Sequence, residues 1–275
     1  MPPESVIQFQ ETVWGHYRDY GRHDLPWRLP DKSGAFDPYG IIVSEIMLQQ
    51  TQVSRVIPKF TEFIEIFPSF EQLARAPLAN VIRLWNGLGY NRRARYLWQT
   101  AGTIENEFHG QVPRTPEKLA ELPGIGLQTA GAIIAYTFNQ PVIFIETNIR
   151  TVMLHHFFAG QERISDRQIV EFVRQTLPEE ALTKEWYWAL MDYGSHIKQH
   201  VGNVSRAAAG YTKQSRFEGS NRQIRGLVLR LLSTGPKLSR DLQAEIGDDR
   251  LSRVLSQLVN EQLIHERGGY FVLGN

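Results

Sequence analysis

Cysteine is missing from this 275-residue chain, which excludes disulfides, thiolate metal sites and cysteine nucleophiles. No apolar run approaches the roughly 20 residues of a membrane-spanning helix. Internal repeats and low-complexity tracts are absent. No secretory leader is expected. Residues 1–20 are polar with mixed charge, which predicts a cytosolic protein, nucleoid-associated if prokaryotic. Net charge is nearly absent, +1 overall, but it is unevenly spread. Positions 206–240 hold eight basic residues and one acid, Glu218, so a basic segment sits inside a balanced chain. What is present is 42% hydrophobic content, enough to bury a core in one or two domains.

Alternating strand patterns do not occur before Tyr211, so the first 210 residues are expected to be mainly helical. Helical spacing predicts helices at 5–20, 40–52, 54–67, 92–108, 147–158, 166–177 and 183–200. Two shorter ones begin at Pro68-Ser69 and at Pro77. Residues 210–220 are polar and glycine-containing, and predict a linker. Beyond it, helices are expected at 221–232, 239–246 and 249–261, with Asp248 as cap to the last. Residues 263–265 and 270–273 predict a hairpin about Arg267-Gly268-Gly269. Three helices and a terminal hairpin resemble a winged helix, a fold that often reads a DNA groove but also serves protein contacts.

Residues 119–152 hold the most informative stretch, LAELPGIGLQTAGAIIAYTFNQPVIFIETNIRTV. Pro123 and Gly124 end one helix, because proline bars αR before it and glycine tolerates positive φ. Gly126 frees the backbone again, and residues 129–138 are small and apolar enough for a second helix. Hairpin amides at a helix N-terminus can hold a phosphate. A loop then leads to one carboxylate, Glu146.

Two other segments carry chemistry. In Ser44-Glu45-Ile46-Met47-Leu48-Gln49-Gln50-Thr51-Gln52-Val53, a carboxylate at the inner end of an apolar helix would be desolvated, stay protonated near neutrality and donate to a leaving base. On spacing alone Glu45 could equally be a solvated or capping residue. In Leu84-Trp85-Asn86-Gly87-Leu88-Gly89-Tyr90-Asn91-Arg92-Arg93-Ala94-Arg95, the glycines permit close backbone approach and Tyr90 could stack on a base or wedge into a step. Arg92, Arg93 and Arg95 could meet phosphates or simply be solvated.

The hairpin followed by an acid resembles the helix-hairpin-helix (HhH-GPD) DNA glycosylases. SEIMLQQTQV, Leu25-Pro26-Trp27-Arg28 and the tyrosine after Gly89 resemble the MutY-like adenine-excising branch. The resemblance covers about residues 5–215 and implies a mainly α, two-lobed glycosylase fold over 1–215. Its six-helix lobe would span about 30–140, with the second lobe built from the N-terminal helix and 141–215. The winged-helix-like α+β unit follows at 221–275. The resemblance also implies that Glu45 protonates the adenine ring and that Gln49 enters the base stack. Leu48 and Gln50 would neighbour the lesion, and Tyr90 would wedge beside the estranged base. Hairpin residues Gly124, Gly126, Gln128 and Thr129 would hold a phosphate 3′ to the lesion, and the hairpin carbonyls could hold a monovalent cation. Glu146 would stabilise the sugar cation, by the logic of glycosidases, and Asn148 would orient its loop.

The chain departs from that pattern in four places. Related bifunctional enzymes carry a Schiff-base lysine where Gln128 stands, so a monofunctional enzyme without lyase activity is expected. MutY-like enzymes have aspartate where Glu146 stands. The extra methylene could move the oxygens by about 1 Å, a displacement able to cost on the order of 10²-fold in rate. An iron–sulfur cluster usually follows Met-Asp-Leu-Gly, here Met191-Asp192-Tyr193-Gly194, on four spaced cysteines. Those places are Lys198, Ser205, Ala208 and Gln214, none a thiolate, so no cluster is expected. The basic residues of that loop, Lys198, Arg206 and Lys213, could reach phosphate instead. Finally, 221–275 is too short for the Nudix-like domain that reads 8-oxoguanine. The expectation is a base-excision glycosylase acting as a monomer on mismatched or damaged duplex DNA, with adenine opposite guanine or 8-oxoguanine the first substrate. Another base, or mismatch recognition without cleavage, are the alternatives.

Overall fold

The computed structural model describes residues 2–31 and 34–274. The helices in chain order are α1 (Pro3–Tyr20), α2 (Pro38–Leu48), α3 (Val53–Ile66), α4 (Phe70–Arg75), α5 (Leu78–Trp85), α6 (Arg92–Phe108) and α7 (Pro116–Ala120). They continue as α8 (Leu127–Phe138), α9 (Thr147–Phe157), α10 (Asp166–Thr176), α11 (Thr183–His200), α12 (Asn221–Leu232), α13 (Ser239–Ile246) and α14 (Leu251–Asn260). The strands are β1 (Lys237–Leu238), β2 (Ile264–Arg267) and β3 (Tyr270–Leu273). Among the described residues no helix is long and apolar enough to cross a membrane.

The chain divides into two compact units. Unit 1 is Met1–Ile41, Arg114–Glu121 and Ile125–Lys213; unit 2 is Ile42–Pro113, Leu122–Gly124 and Gln214–Asn275. These boundaries differ from the expected ones. Helix α8 sorts with unit 1 because its small face packs on α11. Residues 214–275 sort with 42–113 rather than alone, because α12 and β3 pack on α5.

In unit 1, Phe9, Val13 and Tyr17 recur every four residues along α1 and bury one stripe. That stripe meets Ile149, Val152 and Met153 of α9 and Trp186, Tyr187 and Leu190 of α11 in one apolar core. A deeply buried charge cluster joins two segments that the sequence shows far apart. Asp192 accepts from the Arg22 backbone N–H at 2.8 Å and Nε at 2.7 Å, and from Arg28 Nη1 at 2.8 Å and Nη2 at 3.0 Å. Arg28 also lies 5.2 Å above the Trp188 ring. Burial alone would raise the Asp192 carboxyl. The guanidiniums more than offset that and hold it below the usual carboxylate value.

In unit 2, α3 to α6 bury Phe63 edge-on to Trp85, with ring centroids 6.3 Å apart. The C-terminal part pairs β1–β3–β2 antiparallel, with Ile264 opposite Leu273 and Lys237 opposite Phe271. This is a three-helix unit with a small sheet, as the winged-helix resemblance implies. Strand β1 escaped the sequence reading because two residues show no alternation. Asp248 does not cap α14 by its side chain. Its oxygens are taken by Arg250, whose N–H lies 2.9 Å from Oδ1, and Arg250 occupies the cap position.

Replacing Asp192 by alanine leaves Arg28 buried and unpaired, and is expected to destabilise the fold by about 3–5 kcal/mol. Thermal and denaturant unfolding measure this. Because the folded carboxyl is depressed, the stabilisation is full at neutral pH and disappears as pH falls below about 4. Equal acid sensitivity of wild type and variant would exclude this role.

Candidate active site and nucleic-acid interface

Unit 2 holds one candidate carboxylate, Glu45. Helix α2 is apolar on every face around Glu45, which is itself 8% exposed. The helix ends just before Gln49, and its orphan carbonyls are gathered by one side chain. Arg93 Nη1 donates to Ile46 O at 2.8 Å, Met47 O at 2.9 Å and Gln49 O at 2.6 Å. Its Nη2 reaches Thr51 Oγ1 at 2.9 Å and Gly89 O at 3.0 Å. A cation at a helix C-terminus satisfies both the hydrogen bonds and the dipole. The expected phosphate contact for Arg93 is therefore corrected: it is buried and holds together the two loops that carry Gln49, Gln50 and Tyr90. Arg92 is also engaged within the protein, donating to Glu261 at 2.8 Å.

Gly87 and Gly89 have φ of +97° and +74°, and Tyr90 follows in the left-handed region. At the hairpin, Gly124 has φ +78°, and a Cβ there would meet Tyr96 Cβ at 2.8 Å, so only glycine fits. Gln49 Nε2 donates to Gly124 O at 3.1 Å and Thr100 Oγ1 to Pro123 O at 2.9 Å. Gly126 takes the cap position of α8 and has open space around it. The first turn of α8 is exposed, including Leu127, an apolar side chain in water that the sequence reading passed over. An exposed helix start is suited to an anion. Thr129 lies on the same turn and is half-buried.

Unit 1 holds another candidate carboxylate, Glu146. Glu146 is half-buried at the cap position of α9, and its neighbours fix the loop from three sides. Gln128 Oε1 accepts the Ile145 N–H at 2.5 Å, so this glutamine braces the loop. Asn148 Nδ2 donates to Met191 O at 3.1 Å. Gly194 lets α11 approach so closely that an added Cβ would sit 2.3 Å from Asn148 O. Lys198 Nζ donates to Asn148 Oδ1 at 2.6 Å. Burial pushes the Glu146 carboxyl up to about 7, against the attraction of Lys198. Burial first, and then the charge of Arg150, depress Lys198, while Glu146 pulls it the other way.

The four positions that hold a cluster in the resembled enzymes do not fit one, and the structure shows other uses for them. Lys198 serves Asn148. Ser205 is buried and pairs with Thr151 Oγ1 at 2.8 Å. Ala208 forms a parallel bridge with Ile164, closed by Ala209 N–H to Ile164 O at 2.9 Å. Gln214 donates to Gln50 Oε1 at 3.1 Å.

The hairpin and the helices about it define the helix-hairpin-helix class of fold. A model of the HhH-GPD superfamily base excision DNA repair protein matches residues 43–179. The adenine DNA glycosylase of Mycolicibacterium smegmatis is 32% identical, covering 93% of this chain and 92% of that protein. That of Buchnera aphidicola subsp. Baizongia pistaciae is 35% identical, covering 70% of this chain and 54% of that protein. The chain thus spans about half the length of the Buchnera relative and nearly all of the mycobacterial one. Among solved structures, a thermostable thymine-DNA glycosylase matches with TM-score 0.60 at 23% identity, over 70% of this chain and 87% of that one. A trapped endonuclease III–DNA covalent intermediate matches with TM-score 0.58 at 16% identity, over 71% and 87%. The chain belongs to the HhH-GPD superfamily, in the family of the adenine DNA glycosylases.

Gly194→Ala should push α11 from the start of α9, costing about 1–3 kcal/mol by overpacking. Thermal melting reads the loss, and an unchanged midpoint would mean that the two helices can part freely.

Proposed function

We propose that the protein is a monofunctional glycosylase that removes adenine opposite guanine or 8-oxoguanine from duplex DNA. The observation that carries this reading is Glu45, a carboxylic acid buried in an apolar helix four residues before Gln49. Flipping the adenine out of the stack brings it to such a group. Glu45 then donates a proton to the leaving base as the N-glycosidic bond breaks and its electron pair moves to the ring. The carboxylate of Glu146 stabilises the positive sugar, and water adds its oxygen to the anomeric carbon while passing a proton to that carboxylate. Gln128 offers no amine, so no covalent adduct with the sugar forms through that position. The hydrogen bonds of Asn148 to Met191 O and of Lys198 to Asn148 support the reading that these two residues brace the loop of Glu146.

A second reading keeps the mechanism and changes the base. It rests on Glu146, one methylene longer than the aspartate of the resembled branch. One experiment separates the two. Duplexes pairing A, T, U, hypoxanthine and 8-oxoguanine with G, C, T and 8-oxoguanine are incubated with protein and then treated with alkali. Cleavage only after alkali, at adenine, is expected; cleavage at another base selects the second reading, and no cleavage removes both.

Glu45→Gln should lower excision by at least about 10²-fold while duplex binding remains; normal turnover would remove Glu45 from the acid role.

Glu146 must be ionised to stabilise the sugar, and its carboxyl sits at about 7. Single-turnover rates should therefore fall about tenfold per pH unit below neutrality. Lys198→Met withdraws the nearby positive charge, so this acid limb should move to higher pH. A limb that stays in place would show that Lys198 does not set the charge of Glu146.

A further inference from the structure

The superfamily match ends at residue 179, which leaves the C-terminal segment 214–275 without a role. Two of its contacts within unit 2 fall on residues of one kind. Gln50 and Tyr90 are not glycines, yet both hold left-handed backbone, with φ of +54° and +47°. Such residues persist only when their surroundings over-determine them, and they gather at functional sites. Each is tied by its side chain to the C-terminal segment. Gln214 donates to Gln50 Oε1 at 3.1 Å, and Arg222 Nη1 donates to the Tyr90 hydroxyl at 2.8 Å. The Arg222 guanidinium also lies 5.7 Å from the Tyr90 ring centroid, and its Nη2 reaches back to Ser215 O at 2.6 Å.

Both tied residues line a cleft of about 1130 Å³. That exceeds the ~300–1,000 Å³ of a small-molecule site and suits a polymer. Its charge is one-sided: Arg55, Arg92, Arg93, Arg222, Arg225 and Arg230 line it against the single carboxylate Glu261. Glu261 pairs with Arg92 and Arg225, and Arg93 is buried on α2 carbonyls. That leaves three arginines with no carboxylate partner among the described residues: Arg55 on α3, which donates to Gly87 O, and Arg222 and Arg230 on α12. Polar Gln223 and Gln257 complete that wall.

We propose that this cleft grips the DNA strand opposite the excised base, with α12 as one wall and Arg222 as the residue that positions Tyr90 against that strand. The inference rests on the glycosylase reading only in taking duplex DNA as substrate. A positive, polar cleft meets the sugar-phosphate chain by charge, and a tyrosine held upright by an arginine presents its ring to a base. Opposite-base preference is then partly a property of the C-terminal segment.

The test measures binding rather than cutting. Five duplexes carry a tetrahydrofuran abasic analogue opposite A, C, G, T or 8-oxoguanine, and Kd is measured for each across a salt series. The wild type should spread its Kd values at least tenfold across the five. Arg222→Ala should compress that spread severalfold and flatten the slope of log Kd against log salt by about 1. Tyr90→Phe keeps the ring but removes the hydroxyl, so it should compress the spread without altering the slope. Arg222→Ala added to Tyr90→Phe should compress it no further. Circular dichroism confirms that each variant is folded. A wild type that binds all five alike, or an Arg222→Ala protein with wild-type spread and slope, overturns the proposal. Adenine excision by the wild type is scored separately. Its absence beside a normal spread sinks the adenine reading and leaves this one standing, and the reverse result does the opposite.

Discussion

Asp192 is a buried carboxylate shared by Arg22 and Arg28, and the support of Glu146 depends on the helix that carries it. Along α11 the useful residues are Met191, Gly194 and Lys198, spaced three and four apart, so they lie on one helix face. Met191 accepts from Asn148, Gly194 allows its close approach, and Lys198 donates to it. The neighbouring face is fastened by Asp192. A one-residue slip of α11 would break the ion pairs and misplace all three contacts together. The charge cluster therefore acts as a register lock for the loop that holds Glu146.

Unit 2 solves a related problem with arginine alone. A guanidinium is planar, permanently charged and rich in donors, so Arg93 can close a helix end and join two loops at once. Glu261 gathers the Arg92 and Arg225 side chains, and its backbone carbonyl accepts from Arg95 at 3.1 Å. Much of the positive charge near the Tyr90 loop is thus spent inside the protein. Nominal charge overstates what DNA can meet, and side-chain partners decide which arginines remain.

Much of the helical skeleton was legible in the sequence. The boundaries of α6, α11, α12 and α13 match the predicted ones, since each has a clear 3.6-residue period and a breaker beside it. Glu45, Glu146 and Asn148 stand out in the sequence as candidates because short motifs carry them. Residues whose role comes from distant partners were harder to read. Arg93 looked like a phosphate ligand because its carbonyl partners lie up to 47 positions away. Arg92 and Glu261 are 169 apart. Arg222 was only one of eight basic residues in a segment, and no local pattern marks it as the partner of Tyr90, 132 positions away. Lys198 was noted for a possible phosphate, whereas its place beside Asn148 depends on how α11 lies against α9.

The clamp at Glu261 has a consequence for the order in which the molecule is made. Unit 2 is discontinuous in sequence, built from Ile42–Pro113 and completed by Gln214–Asn275. Chains leave the ribosome at ~5–20 residues per second, and domains generally fold as they emerge. The Tyr90 loop is synthesised early, yet Gln214, Arg222 and Glu261, which hold it and its arginines, arrive only near the end. During most of synthesis this lobe is therefore a nascent intermediate with unpaired guanidiniums and an unsupported Tyr90 loop. A chain interrupted before its last sixty or so residues could hold every motif of the superfamily and still lack the finished loop.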